Sequence, residues 1–567
     1  MLAVAFMAAA TTADAKIIEH QGDRYIINVE EMELNGEENV LDILMMCPEI
    51  MSQNGRTTSS PTYMGYYTVR INNLDINMDQ EAFLKNTKAK ELKKIKVCIN
   101  PGVMKGSGGM KKVIDLYFRK DTKGTHGKVA VEGDTKASGE VFGRVINQSD
   151  KAWIQGMVFG KMQYVNGNHG GDTNAGGKHE GVENANINVD WDITSKDNLL
   201  LQATQKFERV SNVTSGAVDY SRNISVAACY TRSLADNGAY AMVQVAADYS
   251  TEDQPYAGFK PCTRSTSPYG LVEFGFPFIH KNIYVTAGIE SGYSATTAMV
   301  EDFTDRDRYA DVYAQADWTC GKWGIMIGDR FRSYHVWIDR FSKPATPWEH
   351  TTSNNYFTAS VYCNINDHNT LQGTFARRFY GADCSMYHPA ALYAYSHDAN
   401  DYAAAEDVFQ SPIYVSELRY TYQKSNFNLM ALVKNEHKKI DSNANSDNIL
   451  TTGISAFYHI GVFRVTAGVD YNWERYNYGA VTYSNWVSCH LAPQVSLKQG
   501  WRFTANAIYN SRRLEKIMSF YQQPNFYLDI AASKEINKHW LVEAKWHDIV
   551  DTRVGARGAS VGATYTF

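Results

Sequence analysis

One stretch of the chain, between residues 380 and 402, is rich in tyrosine and histidine. Aromatic rings bury a large area at a small entropic cost, so they are suited to stacking on a sugar, a peptide or a metal chelate. The seven side chains that could bind a ligand in this way are Tyr380, Tyr387, His388, Tyr393, Tyr395, His397 and Tyr402. The same rings could instead pack against one another inside a long loop, and the sequence leaves both interpretations open.

Two clusters of like charge are further candidates. Carboxylate oxygens could hold Ca²⁺, but the acidic cluster lacks the fixed spacing of a calcium loop, and we expect a solvated loop there. Its members are Glu301, Asp302, Asp305, Asp307 and Asp311. The basic cluster could bind an anion or a partner protein, but we expect it to be solvated or to pair with carboxylates on a facing surface. Its members are Lys85, Lys88, Lys90, Lys93, Lys94 and Lys96.

No arrangement of residues indicates catalysis. The chain has no H-E-x-x-H motif, its 15 histidines lie singly, and its eight cysteines form no C-x-x-C pair,. Its one G-x-S-x-G match, at 558–562, belongs to the alternating pattern at the end of the chain. We therefore expect no enzyme, metal site or cofactor. The net charge of -5 provides no basic surplus, so nucleic acid is excluded as a partner,. A disulfide between Cys47 and Cys98 remains open, because both fall in one predicted domain.

Most of the chain alternates apolar with polar residues. From residue 463, one face of a predicted strand carries Phe463, Val465, Ala467, Val469, Tyr471 and Trp473. The other face carries Arg464, Thr466, Gly468, Asp470, Asn472 and Glu474. The pattern recurs over 283–290, over 559–567 and over 501–510, where Ile508 interrupts it. Since successive strand residues point to opposite faces, the pattern predicts strands with lipid on one face and a polar lumen on the other.

Composition supports a membrane barrel. Aromatic residues make up 13% of the chain, which suits side chains placed at two membrane interfaces,. After the N-terminus there is no uninterrupted apolar run of about 18 residues, and the mean hydropathy is -0.39, so helical spans are excluded. A closed sheet is the other structure that can cross lipid.

The pattern divides the chain into three parts. Residues 1–15 have an apolar run and a small-x-small ending, which predicts an exported protein with a signal peptide,. Residues 16–120 have clustered rather than alternating apolar positions, which predicts a small α+β domain with a helix over 39–44. Residues 121–567 predict a barrel of about 22 antiparallel strands.

Loop lengths predict how this barrel is oriented. The connections after even-numbered strands are tight, and those after odd-numbered strands are longer, which is typical of periplasmic turns and outer loops. The predicted outer loops lie near 166–179, 250–266, 296–308, 339–354, 381–410 and 515–525. A lumen of this width is too wide for its own side chains to fill, so we expect the small domain to close it.

The chain also resembles a known family, the TonB-dependent receptors of the outer membrane, whose small domain is called the plug. In the plug the resemblance lies in Arg24-Tyr-Ile-Ile-Asn-Val29, Leu41-Asp-Ile-Leu44 with Pro48, Val69-Arg-Ile-Asn-Asn73, Glu91-Leu-Lys-Lys-Ile-Lys-Val97, Asn100-Pro101, Gly108-Gly109 and Val113-Ile-Asp-Leu116. In the barrel it lies in Pro389, Tyr393, Tyr395, Gln410-Ser-Pro412, Glu417-Leu-Arg-Tyr420 and the terminal Phe567. The chain looks like a short form, without the N-terminal β-sandwich domain of many relatives.

The resemblance implies an all-β membrane protein in the outer membrane of a Gram-negative bacterium, surrounded by its lipids. It implies gated uptake of a ligand past the plug, driven by a TonB-type energy-coupling protein. Asn73 stands where glycine is common, and no convincing TonB box precedes the plug. An alternative is therefore a plugged barrel that transports nothing and serves as a scaffold for an outer-membrane lipoprotein, assembly or secretion complex. A surface lipoprotein is a further expected partner.

Overall fold

A computed structural model describes most of the chain. The described residues are 18–21, 24–32, 38–44, 50–53, 56–59, 67–72, 74–76, 80–98, 103, 112–119, 123–135, 138–165, 178–212, 218–254, 259–278, 282–298, 303–340, 348–379, 412–424, 426–439, 446–478, 480–497, 499–515, 520–522, 524–547, 549 and 558–567. The predicted signal peptide, Cys47 and all seven aromatic and histidine candidates lie outside these residues. The disulfide and the aromatic site therefore stay predictions.

The first part of the described chain forms a small mixed sheet with short helices, which we call the plug. Its strands are β1 (Ile18–Gln21), β2 (Arg24–Ile27), β3 (Ile50–Gln53), β4 (Arg56–Ser59), β5 (Tyr67–Ile71), β6 (Leu74–Asp75), β7 (Leu92–Cys98) and β8 (Lys112–Phe118). Its helices are α1 (Val40–Leu44) and α2 (Gln80–Asn86), with 3-10 turns at Val29–Glu31 and Ala89–Glu91. Six strands pair in the order β1-β2-β7-β8-β5-β6, and β3 pairs with β4 separately.

Local sequence explains the start of helix α1, which the pattern over 39–44 predicts. The Asn39 side chain accepts a hydrogen bond from the Asp42 backbone N–H at 2.8 Å, and the Asp42 carboxylate accepts one from the Asn39 N–H at 2.9 Å. This reciprocal capping satisfies two N–H groups that a helix start leaves unpaired. The helix then buries Val40, Ile43 and Leu44.

The rest of the described chain is a closed antiparallel barrel of 22 strands, as the alternation predicts. The first twelve strands are β9 (Gly124–Asp134), β10 (Gly139–Gln148), β11 (Ala152–Val165), β12 (Lys178–Asp192), β13 (Asp197–Asn212), β14 (Val218–Ser233), β15 (Tyr240–Gln254), β16 (Phe259–Phe278), β17 (Ile283–Ala298), β18 (Phe303–Cys320), β19 (Trp323–Arg340) and β20 (Trp348–Asn366). The other ten are β21 (Asn369–Phe379), β22 (Pro412–Lys424), β23 (Phe427–Lys439), β24 (Ser446–Ile460), β25 (Phe463–Tyr478), β26 (Ala480–Ser496), β27 (Trp501–Asn510), β30 (Asn525–Asn537), β31 (Trp540–His547) and β32 (Gly558–Thr566). A hairpin of β28 (Arg513–Glu515) and β29 (Phe520–Gln522) lies between β27 and β30.

The last strand closes the barrel against the first. Residues Ser560 to Thr566 pair with Asp134 to Lys128. Beyond this ladder, Gly127 and the terminal Phe567 exchange two backbone hydrogen bonds, at 3.1 and 2.9 Å. The closure leaves no sheet edge along this seam, which is the condition for strands to lie in lipid.

Burial in the barrel is inverted relative to a soluble protein. On β25, the polar Asn472 and Glu474 are 1% and 4% exposed, whereas the apolar Val469 is 51% exposed. The same inversion recurs around the described barrel, because polar residues face the lumen and large apolar residues face outward,. Among the described residues, no helix combines the length and the apolar character needed to cross a membrane.

The longest connections follow odd-numbered strands, as predicted, but the sorting is incomplete, since a single residue, 479, follows β25 and six residues, 234–239, follow β14. Several strands are also longer than the alternation suggests. Even-numbered barrel strands lead into tight connections such as 321–322 and 367–368, and odd-numbered strands precede the long ones at 166–177 and 380–411. We call the two ends of the barrel the short-turn end and the long-loop end. The predicted loops at 250–266 and 296–308 are largely wrong, since a ladder of backbone hydrogen bonds continues through most of both ranges.

Candidate functional site

The plug sits in the lumen and contacts the barrel through chemically different surfaces. The first, which we call the docking face, joins the plug core to apolar side chains of β10 and β11. These side chains are Phe142, Ile146, Trp153, Met157 and Phe159, and one buried cluster contains them together with the plug residues Ile95, Ile114, Leu116 and Phe118. The docking face is therefore an extension of the plug core into the wall.

Ring contacts and one buried cation fix the docking face. The rings of Phe118 and Trp153 lie 4.7 Å apart, and the Arg144 guanidinium lies 5.5 Å from the Phe118 ring. Arg144 also forms an ion pair with Glu91 of the plug at 2.5 Å, and its side chain is only 2% exposed. Gln155 accepts two more hydrogen bonds from this guanidinium at 2.8 and 3.0 Å. A buried charge with this many partners resists displacement, because removing one partner leaves the other charge uncompensated.

A smaller apolar contact continues around the same side of the lumen. Leu74 of the plug packs in a buried cluster with Leu200 of β13, Cys229 of β14 and Met242 of β15. Beside it, the Asn72 amide donates to the Asp190 carboxylate of β12 at 2.6 Å. The wall from β10 to β15 therefore holds the plug mainly through buried surface.

Next to the docking face, the wall that runs from β25 through β32 to β11 leaves a cavity of about 560 Å³ beside the plug. We call it the polar cavity. It lies between helices α1 and α2 of the plug and strands β25–β27, β30–β32 and β9–β11 of the wall. Its lining includes the plug residues Asn39, Asp42, Lys85 and Lys88 and the wall residues Lys128, Glu132, Glu140, Lys161, Arg464, Arg502, Asn506, Asp529, Glu543 and Lys545.

Ion pairs cross the polar cavity from plug to wall. Arg502 reaches Asp42 at 2.6 Å, and Arg464 reaches Glu38 at 3.4 Å. Lys85 of α2 lies 2.7 Å from Glu132. Glu132 also pairs with Lys545 at 3.3 Å and accepts a hydrogen bond from Ser560 at 2.8 Å. Charged groups that border a polar space can exchange a partner for water, which an apolar contact cannot do.

Neighbouring carboxylates keep the side chain of Lys85 protonated. Burial alone would lower the pKa of its ammonium group, but the carboxylates of Glu140 and Glu132 more than offset burial and raise the pKa above its ordinary value,. Lys85 therefore stays protonated throughout the physiological range. The expectation that the lysine cluster pairs with carboxylates of a facing surface is confirmed for this residue. Lys94 and Lys96 instead lie over the plug's own Tyr117 ring, both at 5.1 Å.

A further contact holds a single plug residue against β18 and β19. The Arg330 guanidinium donates to the Val103 carbonyl at 3.3 Å and to Glu290 at 2.5 Å, and it also bonds Asp311. A Cβ at Gly328 would lie only 2.7 Å from the Val103 side chain. Val103 therefore fits a depression in the wall that exists because residue 328 has no side chain. We call this the Val103 contact.

The Val103 contact corrects one prediction. Asp305, Asp307 and Asp311 lie on the lumen side of β18 and are 4%, 8% and 0% exposed, so they do not form a solvated loop. Glu301 and Asp302 of the same cluster lie outside the described residues. The sequence prediction failed because the cationic partners of Asp311, which are Arg330 and Arg332, lie about 20 residues away on the next strand. Within the described parts of the chain, no group of three or more His, Cys, Asp or Glu could hold a metal ion.

Comparisons with known proteins agree on the architecture. A family model described as the outer membrane protein beta-barrel family matches residues 400–566. A comparison with curated protein sequences finds no match. The solved structures similar to this chain include a closed form of the ferric-catecholate import receptor Fiu from K12 E. coli, with 11% identity, 97% coverage of both chains and a TM-score of 0.70.

Two other solved structures are similar over almost their whole length. The siderophore receptor PirA from Acinetobacter baumannii has 13% identity and a TM-score of 0.69, with 96% of this chain and 98% of that chain covered. The FrpB iron transporter from Neisseria meningitidis has 11% identity and a TM-score of 0.69, with 97% and 100% covered. At such identities the likeness establishes a common fold.

Proposed function

We propose that the chain is an outer-membrane receptor of a Gram-negative bacterium and that it takes up a ligand through a path that opens beside its plug. The family model and the shared fold of the similar import and siderophore receptors support this proposal. The ligand is captured at the long-loop end of the barrel. Movement of the plug then connects that end to the short-turn end.

The observation that carries this proposal is the contrast around the plug. Buried apolar surface joins the plug to β10 and β11, while charged groups and a cavity of about 560 Å³ separate it from β25–β27 and β30–β32. When this contact opens, Arg502 and Asp42 can exchange each other for water, so neither charge is left without a polar partner,. A permanent seal has no need of such a cavity, whereas a gate requires a contact that separates.

Movement of the plug requires an energy source, since the outer membrane has no nucleotide or proton gradient of its own. We propose that a TonB-type protein pulls on the N-terminal part of the plug. Solved structures of similar fold include a siderophore receptor and an iron transporter. That similarity makes iron chelates the first ligands to test, beside glycans, peptides and cobalamin.

Growth and uptake in a deletion strain test the proposal. We expect the strain to lose growth on at least one of these nutrient sources and to regain it with the full chain. Regained uptake should stop when a protonophore collapses the proton-motive force. A chain lacking residues 16–120 should give uptake that is slow or leaky and independent of that force. Equal, energy-independent uptake by the truncated and the full chain would contradict the gate.

The scaffold function is the alternative outcome of the same experiment. Normal growth of the deletion strain on every source, together with a lipoprotein that co-purifies in stoichiometric amount from mild detergent, would favour it. A lipoprotein that co-purifies while growth on one nutrient is lost would instead indicate a surface partner of the receptor.

A further inference from the structure

A second cavity opens between the plug and strands β12–β16, away from the polar cavity. We call it the hydroxyl pocket. Its volume is about 490 Å³, within the range of roughly 300–1,000 Å³ that is typical of small-ligand pockets,. The described residues that line it are Ile76, Gln80, Val182, Lys206, Glu208, Asn223, Ser225, Asp248, Ser250, Ser265 and Ser267.

The hydroxyl pocket faces the long-loop end. Lys206 and Glu208 lie in the second half of β13, and Ser250 lies near the end of β15, so all three approach the connections 213–217 and 255–258. The plug residues Ile76 and Gln80 line the pocket from the lumen centre. A ligand that entered from the long-loop end would therefore meet the wall and the plug together.

The chemistry of the pocket is that of short hydroxyl groups. Four of its described lining residues are serines, and they lie on three neighbouring strands. The row of hydroxyls continues onto β17, because Ser267 donates to Ser294 at 3.2 Å and Ser265 accepts from Thr296 at 3.1 Å. A hydroxyl both donates and accepts hydrogen bonds, so such a row matches a ligand that presents several adjacent hydroxyls.

The charges in the pocket disfavour an anion. Lys206 forms an ion pair with Glu208. The Asp248 carboxylate, which also lines the pocket, accepts a hydrogen bond from Ser225. With one lysine against two carboxylates, the described lining carries a net negative charge. A phosphate or an anionic metal chelate would be repelled.

We propose that the hydroxyl pocket binds a neutral saccharide of one or two sugar units. The serine hydroxyls, Asn223 and Asp248 bind the sugar hydroxyls, while Ile76 and Val182 contact the C–H face of the ring. This inference rests on the proposed function, since it names the ligand class that the receptor captures. It also places plug residues in the binding site, so that a bound ligand contacts the plug directly.

The test is equilibrium binding to the purified full chain in detergent. Maltose, cellobiose, lactose and sucrose are titrated by calorimetry, with inorganic phosphate and ferric citrate as anionic probes. We expect at least one disaccharide to bind and both anions to fail. The double variant Ser265→Ala, Ser267→Ala lacks both hydroxyls. Its affinity for the disaccharide should be lower by about tenfold or more, because two hydrogen bonds to the ligand are lost.

A control is Ser360→Ala on β20, where the serine faces the lumen but does not line the hydroxyl pocket. Its saccharide affinity should equal that of the unmodified chain. Failure of all four sugars, binding of an anion at this pocket, or undiminished affinity of the double variant would overturn the inference. This binding experiment does not measure transport, so the two proposals can fail separately. Saccharide binding by a chain that supports no uptake would refute only the proposed function. Energised uptake of another ligand by a chain that binds no saccharide would refute only this inference.

Discussion

The docking face and the polar cavity are two contacts of one plug with one wall, and they differ in what happens when they separate. At the docking face, rings such as Phe118 and Trp153 would be exposed to water, at a cost proportional to their area,. At the polar cavity, Arg502 and Asp42 would exchange each other for water, so both charges would stay solvated,. The difference indicates a plug that stays attached on one side and separates on the other.

The largest effect is expected at the docking face. Replacement of the buried Trp153 by alanine removes the ring against which Phe118 packs, and should lower the free energy of plug opening by about 3–5 kcal/mol,. Hydrogen exchange of the β7 and β8 amides measures this quantity. Trp546→Ala is the control, since Trp546 is 55% exposed on the outer surface. Equal plug protection in both variants would mean that the docking face does not hold the plug.

A smaller effect is expected at the Val103 contact. In Gly328→Ala the new methyl group would overlap the Val103 side chain, and overpacking of this kind costs about 1–3 kcal/mol,. The second substitution Val103→Ala should restore most of the loss, as judged by thermal unfolding of the plug. Gly373→Ala on β21, where a Cβ would meet no atom within 4 Å, should be neutral. Lack of rescue would show that Val103 does not occupy the depression.

A still smaller effect is expected at the polar cavity. Arg502→Gln should lower the free energy of plug opening by about 1 kcal/mol, since the pair with Asp42 is only partly buried,. A double-mutant cycle with Asp42→Asn, read out by hydrogen exchange of helix α1, isolates the pair. We expect the coupling to fall at high salt. A coupling as large as the Trp153→Ala effect would remove the contrast between the two contacts.

The least effect is expected from pH through Lys85. Its pKa is raised in the docked plug above the ordinary value of 10.5. The stabilisation is therefore complete below pH 10.5 and is lost only as the pH rises through the raised value. Between pH 6 and 9, the difference in plug stability between the unmodified chain and Lys85→Met should stay constant. A difference that changed across this window would show that another titrating group controls the contact.

Much of this architecture could be predicted from the sequence, because a membrane barrel imposes its period on every strand. The alternation of Val469 with Asp470 and Asn472 predicted which face each residue occupies. Ile508 interrupts the pattern for a reason that only the structure shows, since it faces the lumen and packs against Tyr527. The alternation shows which face of a strand each residue occupies, but it does not show which distant strands contact each other.

The candidate site was less accessible to sequence reasoning. The pairs Arg502 with Asp42 and Arg464 with Glu38 join residues more than 400 positions apart, and no local pattern relates them. The depression at Gly328 and the serine row of the hydroxyl pocket also depend on strand register. A row of serines at every second position, as at Ser265 and Ser267, was the one local signal of the hydroxyl pocket in the sequence.

The most direct test is to tether the plug to each side of the wall in turn and measure uptake of the nutrient found by the growth screen. One cysteine pair, Leu41→Cys with Thr504→Cys, spans the polar cavity. The other, Arg119→Cys with Gln148→Cys, replaces a hydrogen-bonded pair beside the docking face. We predict that a cleavable cross-link across the polar cavity abolishes uptake until it is cleaved, while one at the docking face leaves uptake intact. Full uptake with the polar-cavity tether in place would contradict the account.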